Sequence, residues 1–367
     1  MSQYEKSSNG VLFDKFGVPP FSILDSKQGY WVRRKKEWKD LGIKADEGRD
    51  SLKFLPSTET RPSWVRYNKE SLKGKSNISI FDPVLTELCY KWFCEGGGSI
   101  LDPFTGGSVR GIIASQLGYK YTGFDIRKEQ IEANNNNLET LTFPVAKPNW
   151  IVDDAENVKK HYTVKSDLIF SCPPYHDLEK YSKDPNDLSN MDYQSFIKKY
   201  ECIIKNCCDT LNDNRFAVFV VSEIRDKEGH YKNFVRDTIQ AFEKCGLEYY
   251  NEMVYLNQLG TLAMRTSENF INRRKVGKAH QNIICMYKGD ITKIKPLDIT
   301  NNKFEPLTEL LDKPDNFENN VQVPQIEEIV EVEEKEESTI CELCGVDYKG
   351  MTYEQHEQRP FHQNCLE

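Results

Sequence analysis

Ile100-Leu-Asp-Pro-Phe-Thr-Gly-Gly107 is the stretch on which the fold turns. An apolar run ends in a carboxylate and passes through a glycine-bearing turn into an amphipathic segment. This reads as a strand over residues 99–104 leading into a helix over residues 108–117. Outward from it the alternation repeats. Strands are expected over 119–126, 150–153, 167–171 and 216–222, with helices over 128–141, 192–211 and 231–245. Two last strands, 249–256 and 281–287, flank a basic loop. Strands alternating with helices imply an α/β, doubly wound and mostly parallel sheet, because a parallel crossover needs a helix to cover the sheet face.

Acids end three of these strands in succession: Asp102, then Asp125, then Asp153 and Asp154. On open α/β sheets ligands bind outside the carboxyl ends of strands, so the row reads as one binding edge. Gly106 lets the backbone approach a ligand, and Asp102 would meet a cationic or hydroxyl group. Asp125 suits two ribose hydroxyls, and Asp154 an exocyclic amine. A dinucleotide fits less well: the chain lacks G-x-G-x-x-G here, and an acid in the turn repels a pyrophosphate. A phosphate-free, ammonium-bearing nucleoside such as S-adenosylmethionine matches. Alone, Asp-Pro-Phe would be a plain turn.

The fourth strand ends in Ser171-Cys-Pro-Pro-Tyr175. With this tetrapeptide the chain resembles the amino-group (N6-adenine or N4-cytosine) DNA methyltransferases, whose catalytic motif reads Asp, Asn or Ser, then Pro-Pro, then an aromatic. Phe16-Gly-Val-Pro-Pro-Phe-Ser22, Phe81-Asp-Pro-Val84, Asp102-Pro-Phe104 and Cys172-Pro-Pro-Tyr175 occur in the order seen in phage and prophage modification methylases. The similarity runs from Phe16 to Gly289. It implies a Rossmann-like class I methyltransferase fold with a final antiparallel hairpin. It also implies a cofactor site including Asp102, Phe104, Gly106, Asp125 and Asp154, and a catalytic set of Cys172, Pro173, Pro174 and Tyr175. In that chemistry the lone pair of an aromatic amine is delocalised, so a carbonyl such as that of Pro173 must hold the amino hydrogens. Tyr175 would stack on a base flipped out of the duplex.

Cys172 departs from the family pattern, since a thiol accepts hydrogen bonds poorly. The amine then depends on the Pro173 carbonyl, on Ser171, or on a residue from elsewhere. A covalent role for Cys172 is the minor alternative, because no neighbouring His or cation is apparent in sequence to activate it.

The formal charge of −8 is unevenly spread. Residues 296–340 carry 13 acidic side chains against 3 basic ones, and residues 341–367 carry 5 against 2, which leaves residues 1–295 at +5. The body is therefore mildly basic. Four regions are expected: an N-terminal extension (1–77), the methyltransferase domain (78–295), an acidic linker (296–340) and a terminal module (341–367). In the last, Cys341, Cys344, His356 and His362 have the spacing of a Cys2His2-like zinc site, with Cys365 a rival ligand. Arg265, Arg273, Arg274, Lys275, Lys278 and His280 form a basic cluster suited to nucleic-acid phosphates, whereas Arg33 to Lys36 reads as a solvated helical face. Eleven cysteines, an odd number mostly within apolar or helical patterns, fit a reducing, intracellular compartment, cytoplasmic or, in a eukaryotic source, nuclear. The longest apolar runs are too short to span a bilayer.

These readings together point to a site-specific DNA methyltransferase using S-adenosylmethionine and acting on double-stranded DNA, with a zinc module. A protein partner could engage the acidic linker or that module. RNA amino-group methylation and a non-catalytic nucleic-acid-binding protein are the two alternatives.

Overall fold

The computed structural model describes residues 16–43, 81–141, 147–176, 182, 184–256 and 262–297. In chain order the elements are β1 (Ile23–Asp25), α1 (Gly29–Asp40), α2 (Pro83–Phe93), β2 (Ser99–Asp102), α3 (Val109–Gln116), β3 (Lys120–Asp125), α4 (Lys128–Glu139) and β4 (Asn149–Val152). Then follow α5 (Val158–His161), β5 (Ser166–Ser171), α6 (Tyr193–Thr210), β6 (Leu211–Val221), α7 (Phe234–Glu243), β7 (Glu248–Leu256), α8 (Leu262–Arg273) and β8 (His280–Lys288).

The strands form one eight-stranded sheet in the order β1-β7-β8-β6-β5-β2-β3-β4. Every neighbouring pair is parallel except those made by β8, which runs antiparallel to β6 and to β7. This is the doubly wound, Rossmann-like α/β architecture expected from the sequence, reversed final strand included. The chain winds from β2 out to β4, then returns to place β5 on the other flank of β2. The carboxyl ends of β2 and β5 therefore border the switch point, where crevices open in such sheets.

Strand side chains alternate between two cores. Ile100, Leu168, Phe170, Val218, Val220, Ile283 and Cys285 join the cluster that includes α2 and α3. Leu101, Ile169, Ala217, Phe219, Val221, Ile284 and Met286 join the cluster built on α6 and α7. Both faces of these strands are covered, which is why they read as near-continuous apolar runs.

Several boundaries differ from expectation. The first strand stops at Asp102 rather than 104, because Pro103 has no N–H to donate and Asp102 Oδ1 accepts from the Phe104 amide at 3.1 Å, starting the turn. Residues 262–273, expected as part of a basic loop, are helical. The described part of the N-terminal extension belongs to the sheet and its core: β1 pairs with β7, and Trp31 and Trp38 are fully buried. Arg34, expected on a solvated face, is buried and forks onto Glu87 at 2.7 and 2.8 Å. Glu87 also receives Trp38 Nε1 and Lys91 Nζ, each at 2.7 Å. Asp82 caps α2 through the Val84 and Leu85 amides and receives Trp31 Nε1, Lys35 Nζ and the Tyr255 hydroxyl. One carboxylate thus ties α1, α2 and β7 together.

Candidate active site

The three strand-ending acids lie on adjacent strands, β2, β3 and β4, at one sheet edge. Pairing sets Asp102 beside Gly123 and Asp125 beside Val152, which Asp153 follows. Their surroundings differ sharply.

Asp102 is fully buried, and protein donors use both of its oxygens. Oδ1 receives the Ser171 hydroxyl at 2.5 Å and the Phe104 amide, while Oδ2 receives Arg110 Nε and the Tyr121 hydroxyl, each at 2.6 Å. Arg110 also donates to the Phe104 and Thr105 carbonyls. Burial works to lower the Arg110 pKa, but the Asp102 charge outweighs it and holds the guanidinium firmly protonated. Asp102 therefore secures the glycine turn from beneath. The turn is held from other sides by Asn134, which donates to the Gly106 carbonyl at 2.7 Å, and by the Thr105 amide bonding the Phe124 carbonyl. Gly106 has φ +50°, a conformation that favours glycine. A Cβ at Gly123 would meet Thr105 at 2.7 Å, so β3 and the turn approach as closely as backbone allows.

Asp125 is half-buried at the end of β3, where its Oδ1 accepts from the Arg127 amide at 2.8 Å. Asp154 caps the turn after β4 through the Glu156 amide and holds Lys199 of α6 at 2.5 Å. Asp153 takes Asn157 and His161. Partial desolvation works to raise the Asp153 carboxyl, but these hydrogen bonds prevail and keep it below the usual range. Phe104 stacks on Tyr200 with ring centres 6.0 Å apart.

The tetrapeptide leaves β5 at the switch point. Ser171, a candidate amine acceptor in the sequence reading, is fully buried and bonded to Asp102, so it links the tetrapeptide to the glycine turn. Pro173 is buried, and among the described residues nothing hydrogen-bonds its carbonyl. Pro174 and Cys172 are half-buried. The Tyr175 hydroxyl lies 3.6 Å from Cys172 Sγ and accepts from Gln281 Nε2 at 2.6 Å, and the ring meets Phe234 edge-on.

Two groups bear on whether Cys172 is activated, Arg110 of α3 and His176 just after the tetrapeptide. Arg110 is close enough to the thiol for the two to interact electrostatically, but its hydrogen bonds go to Asp102 and the turn carbonyls. His176 follows the tetrapeptide in a left-handed conformation, φ +48°. Its Nε2 lies 2.9 Å from the Met191 carbonyl and its Nδ1 2.9 Å from Lys232 Nζ, which sets the ring proton on Nε2. Each ring nitrogen thus has a partner other than the thiol.

Sequence reasoning missed Arg110, Tyr121, Asn134 and Gln281. Arg110 offered one signal: a cation in the first turn of a helix is disfavoured by the helix dipole unless an anion compensates. Gln281 offered none, because its role depends on β8 pairing with β6, which sets its amino end at the same sheet edge. Beside it, Lys278 contacts His280 and Asn282. Burial lowers the pKa of both Lys278 and His280, and the Lys278 charge lowers His280 further.

Cys341, Cys344, His356, His362 and Cys365 lie outside the described residues. Among the described residues no cluster could hold a metal ion, and no helix is long and apolar enough to cross a membrane.

No protein-family model and no curated protein matches the chain. Solved structures do. TrmN from Thermus thermophilus is similar at 12% identity and TM-score 0.38, over 57% of this chain and 49% of its own, so the chain spans about half of it. An rRNA methylase from Streptococcus thermophilus is similar at 11% identity and TM-score 0.36, over 58% of this chain and 100% of its own. Magnesium protoporphyrin IX methyltransferase from Synechocystis, solved with bound SAM, is similar at 11% identity and TM-score 0.35, over 53% of this chain and 71% of its own.

Proposed function

We propose that this protein is an S-adenosylmethionine-dependent methyltransferase acting on an exocyclic amino nitrogen of adenine or cytosine in double-stranded DNA. The observation that carries the reading is the Ser171–Asp102 hydrogen bond at the switch point, which joins the Cys-Pro-Pro-Tyr segment to the glycine turn. The donor set suits this cofactor: a half-buried carboxylate at the end of β3, Asp125, of the kind that receives ribose hydroxyls, further carboxylates after β4, and a close glycine turn at Gly106. Asp154 would accept from the adenine amine beside Lys199, since each carboxylate oxygen has two lone pairs. When bound, S-adenosylmethionine supplies an electrophilic methyl group on a sulfonium.

The protein's part is orientation. The Pro173 carbonyl holds an amino hydrogen, so the nitrogen lone pair turns out of the ring plane toward the methyl. Tyr175, its hydroxyl anchored by Gln281, offers a ring face to the base. Cys172 contributes a weak acceptor and no covalent bond. Arg273, Arg274 and Lys275 at the end of α8 supply phosphate contacts on the same sheet edge. In the terminal module, Cys341, Cys344 and two of His356, His362 and Cys365 hold zinc, and metal analysis should find about one equivalent.

Tritiated methyl transfer to duplex DNA and to RNA tests the reading. Wild type should label DNA, Cys172→Ser should keep or raise the rate, and Tyr175→Ala should lose transfer worth about 1–3 kcal/mol of base stacking with cofactor binding nearly intact. A dead serine variant would establish the covalent route, labelling confined to RNA would move the substrate, and no labelling by any form would leave a nucleic-acid-binding protein.

A further inference from the structure

The outer end of α8 carries a feature that phosphate binding does not use. Phe270, Ile271 and Val276 are 43%, 72% and 58% exposed. Single exposed apolar side chains are ordinary, but here three fall within seven residues, interleaved with Arg273, Arg274 and Lys275. They form a knuckle at a sharp turn of the chain. Arg274 turns the chain at φ +53°, its amide bonding the Phe270 carbonyl at 2.8 Å, and its guanidinium lies 5.7 Å from the Phe270 ring centre. A Cβ on Gly277 would meet Thr266 and Leu262 at 2.4 and 3.0 Å, so the returning segment lies directly against the helix.

Its placement decides what it meets. α8 joins the carboxyl end of β7 to the amino end of β8, and Gln281 at that end of β8 bonds Tyr175. The knuckle and the tetrapeptide therefore share one sheet edge. An apolar crest ringed by cations at such an edge matches a stacked polyanion better than a solvent-facing loop.

We propose that Ile271, backed by Phe270, is a wedge that enters double-stranded DNA and holds open the gap left by the flipped target base. Arg273, Arg274 and Lys275 grip the flanking phosphates while the apolar side chains replace the lost base stacking, a trade seen generally where proteins unstack DNA. This inference rests on the DNA-methyltransferase reading.

The test uses the full chain, unmethylated plasmid DNA, and chloroacetaldehyde, which modifies adenine and cytosine only where they are unpaired. Wild type should label the plasmid with methyl groups and create reactive unpaired positions. Ile271→Ala and Phe270→Ala should bind the plasmid within about threefold of wild type, yet lose unpairing and slow methyl transfer by about tenfold or more. Unpairing and transfer at wild-type level in both variants and in the double variant would overturn the wedge while leaving the methyltransferase reading intact. Absence of both signals in wild type would instead overturn the underlying reading. Binding of the knuckle to anionic phospholipid vesicles, lost in Ile271→Ala without change on DNA, would overturn the wedge in favour of a lipid surface.

Discussion

Residues 31–38 and residues 270–276 both set arginines and lysines among large apolar side chains, yet one face of the first stretch, Trp31, Arg34 and Trp38, is built into the core while the second stretch faces solvent. In the first, Arg34 is buried on Glu87 and Lys35 reaches Asp82, both acids belonging to α2 or its cap. In the second, Phe270 and Ile271 remain exposed beside Arg273, Arg274 and Lys275. A basic, aromatic stretch acquires its meaning from whether another element brings carboxylates to it. Composition alone does not distinguish a buried ion pair from a polyanion-binding surface.

The largest expected contrast is in stability. Arg34→Met should cost about 3–5 kcal/mol in urea unfolding, because Glu87 would keep its charge in the core with half its partners gone, whereas Arg274→Met should stay within about 0.5 kcal/mol. Equal losses at both positions would break the comparison. Acid sharpens it. Burial works to raise the Glu87 carboxyl, but Lys91 and Arg34 outweigh burial and hold it at about 2, against 4.5 for a free side chain. The folded-state value is depressed, so its contribution is present above 4.5 and lost as pH falls toward 2; unfolding followed by circular dichroism across that window should show Arg34→Met losing this protection.

Binding should reverse the ranking. Replacing Arg273, Arg274 and Lys275 together with alanine should reduce the slope of log affinity for DNA against log salt by about 2.7, some 0.9 per phosphate contact. Replacing the exposed Arg33 and Lys36 should leave that slope unchanged. If the two sets act alike, the α8 cations are ordinary solvated charges.

A smaller contrast separates two acids that sequence presents as equals. Asp125→Ala should weaken S-adenosylmethionine about tenfold in calorimetry, about 1.4 kcal/mol, without shifting the unfolding midpoint. Asp102→Asn should instead shift the midpoint, because the four donors around it are placed for a carboxylate. Undiminished affinity in Asp125→Ala would remove the ribose assignment.

Sequence periodicity by itself determined the alternation of strands and helices, and with it the α/β class, because a strand covered on both faces must be apolar throughout and its crossover helix amphipathic. It also determined that acids end β2 and β3 and follow β4, and that Cys172 to Tyr175 follows β5, since these are matters of order along one chain. Only the tertiary structure decided which side chains those ends turn inward. Asp102 and Asp125 occupy equivalent strand positions, but Arg110, Tyr121 and Ser171 converge on the first alone. Gln281 reaches Tyr175 across 106 residues, and Arg34 meets Glu87 across 53. Such pairings follow from strand order and helix packing, which bring distant residues together through buried area summed over the whole sheet, and no local pattern in the sequence encodes that sum.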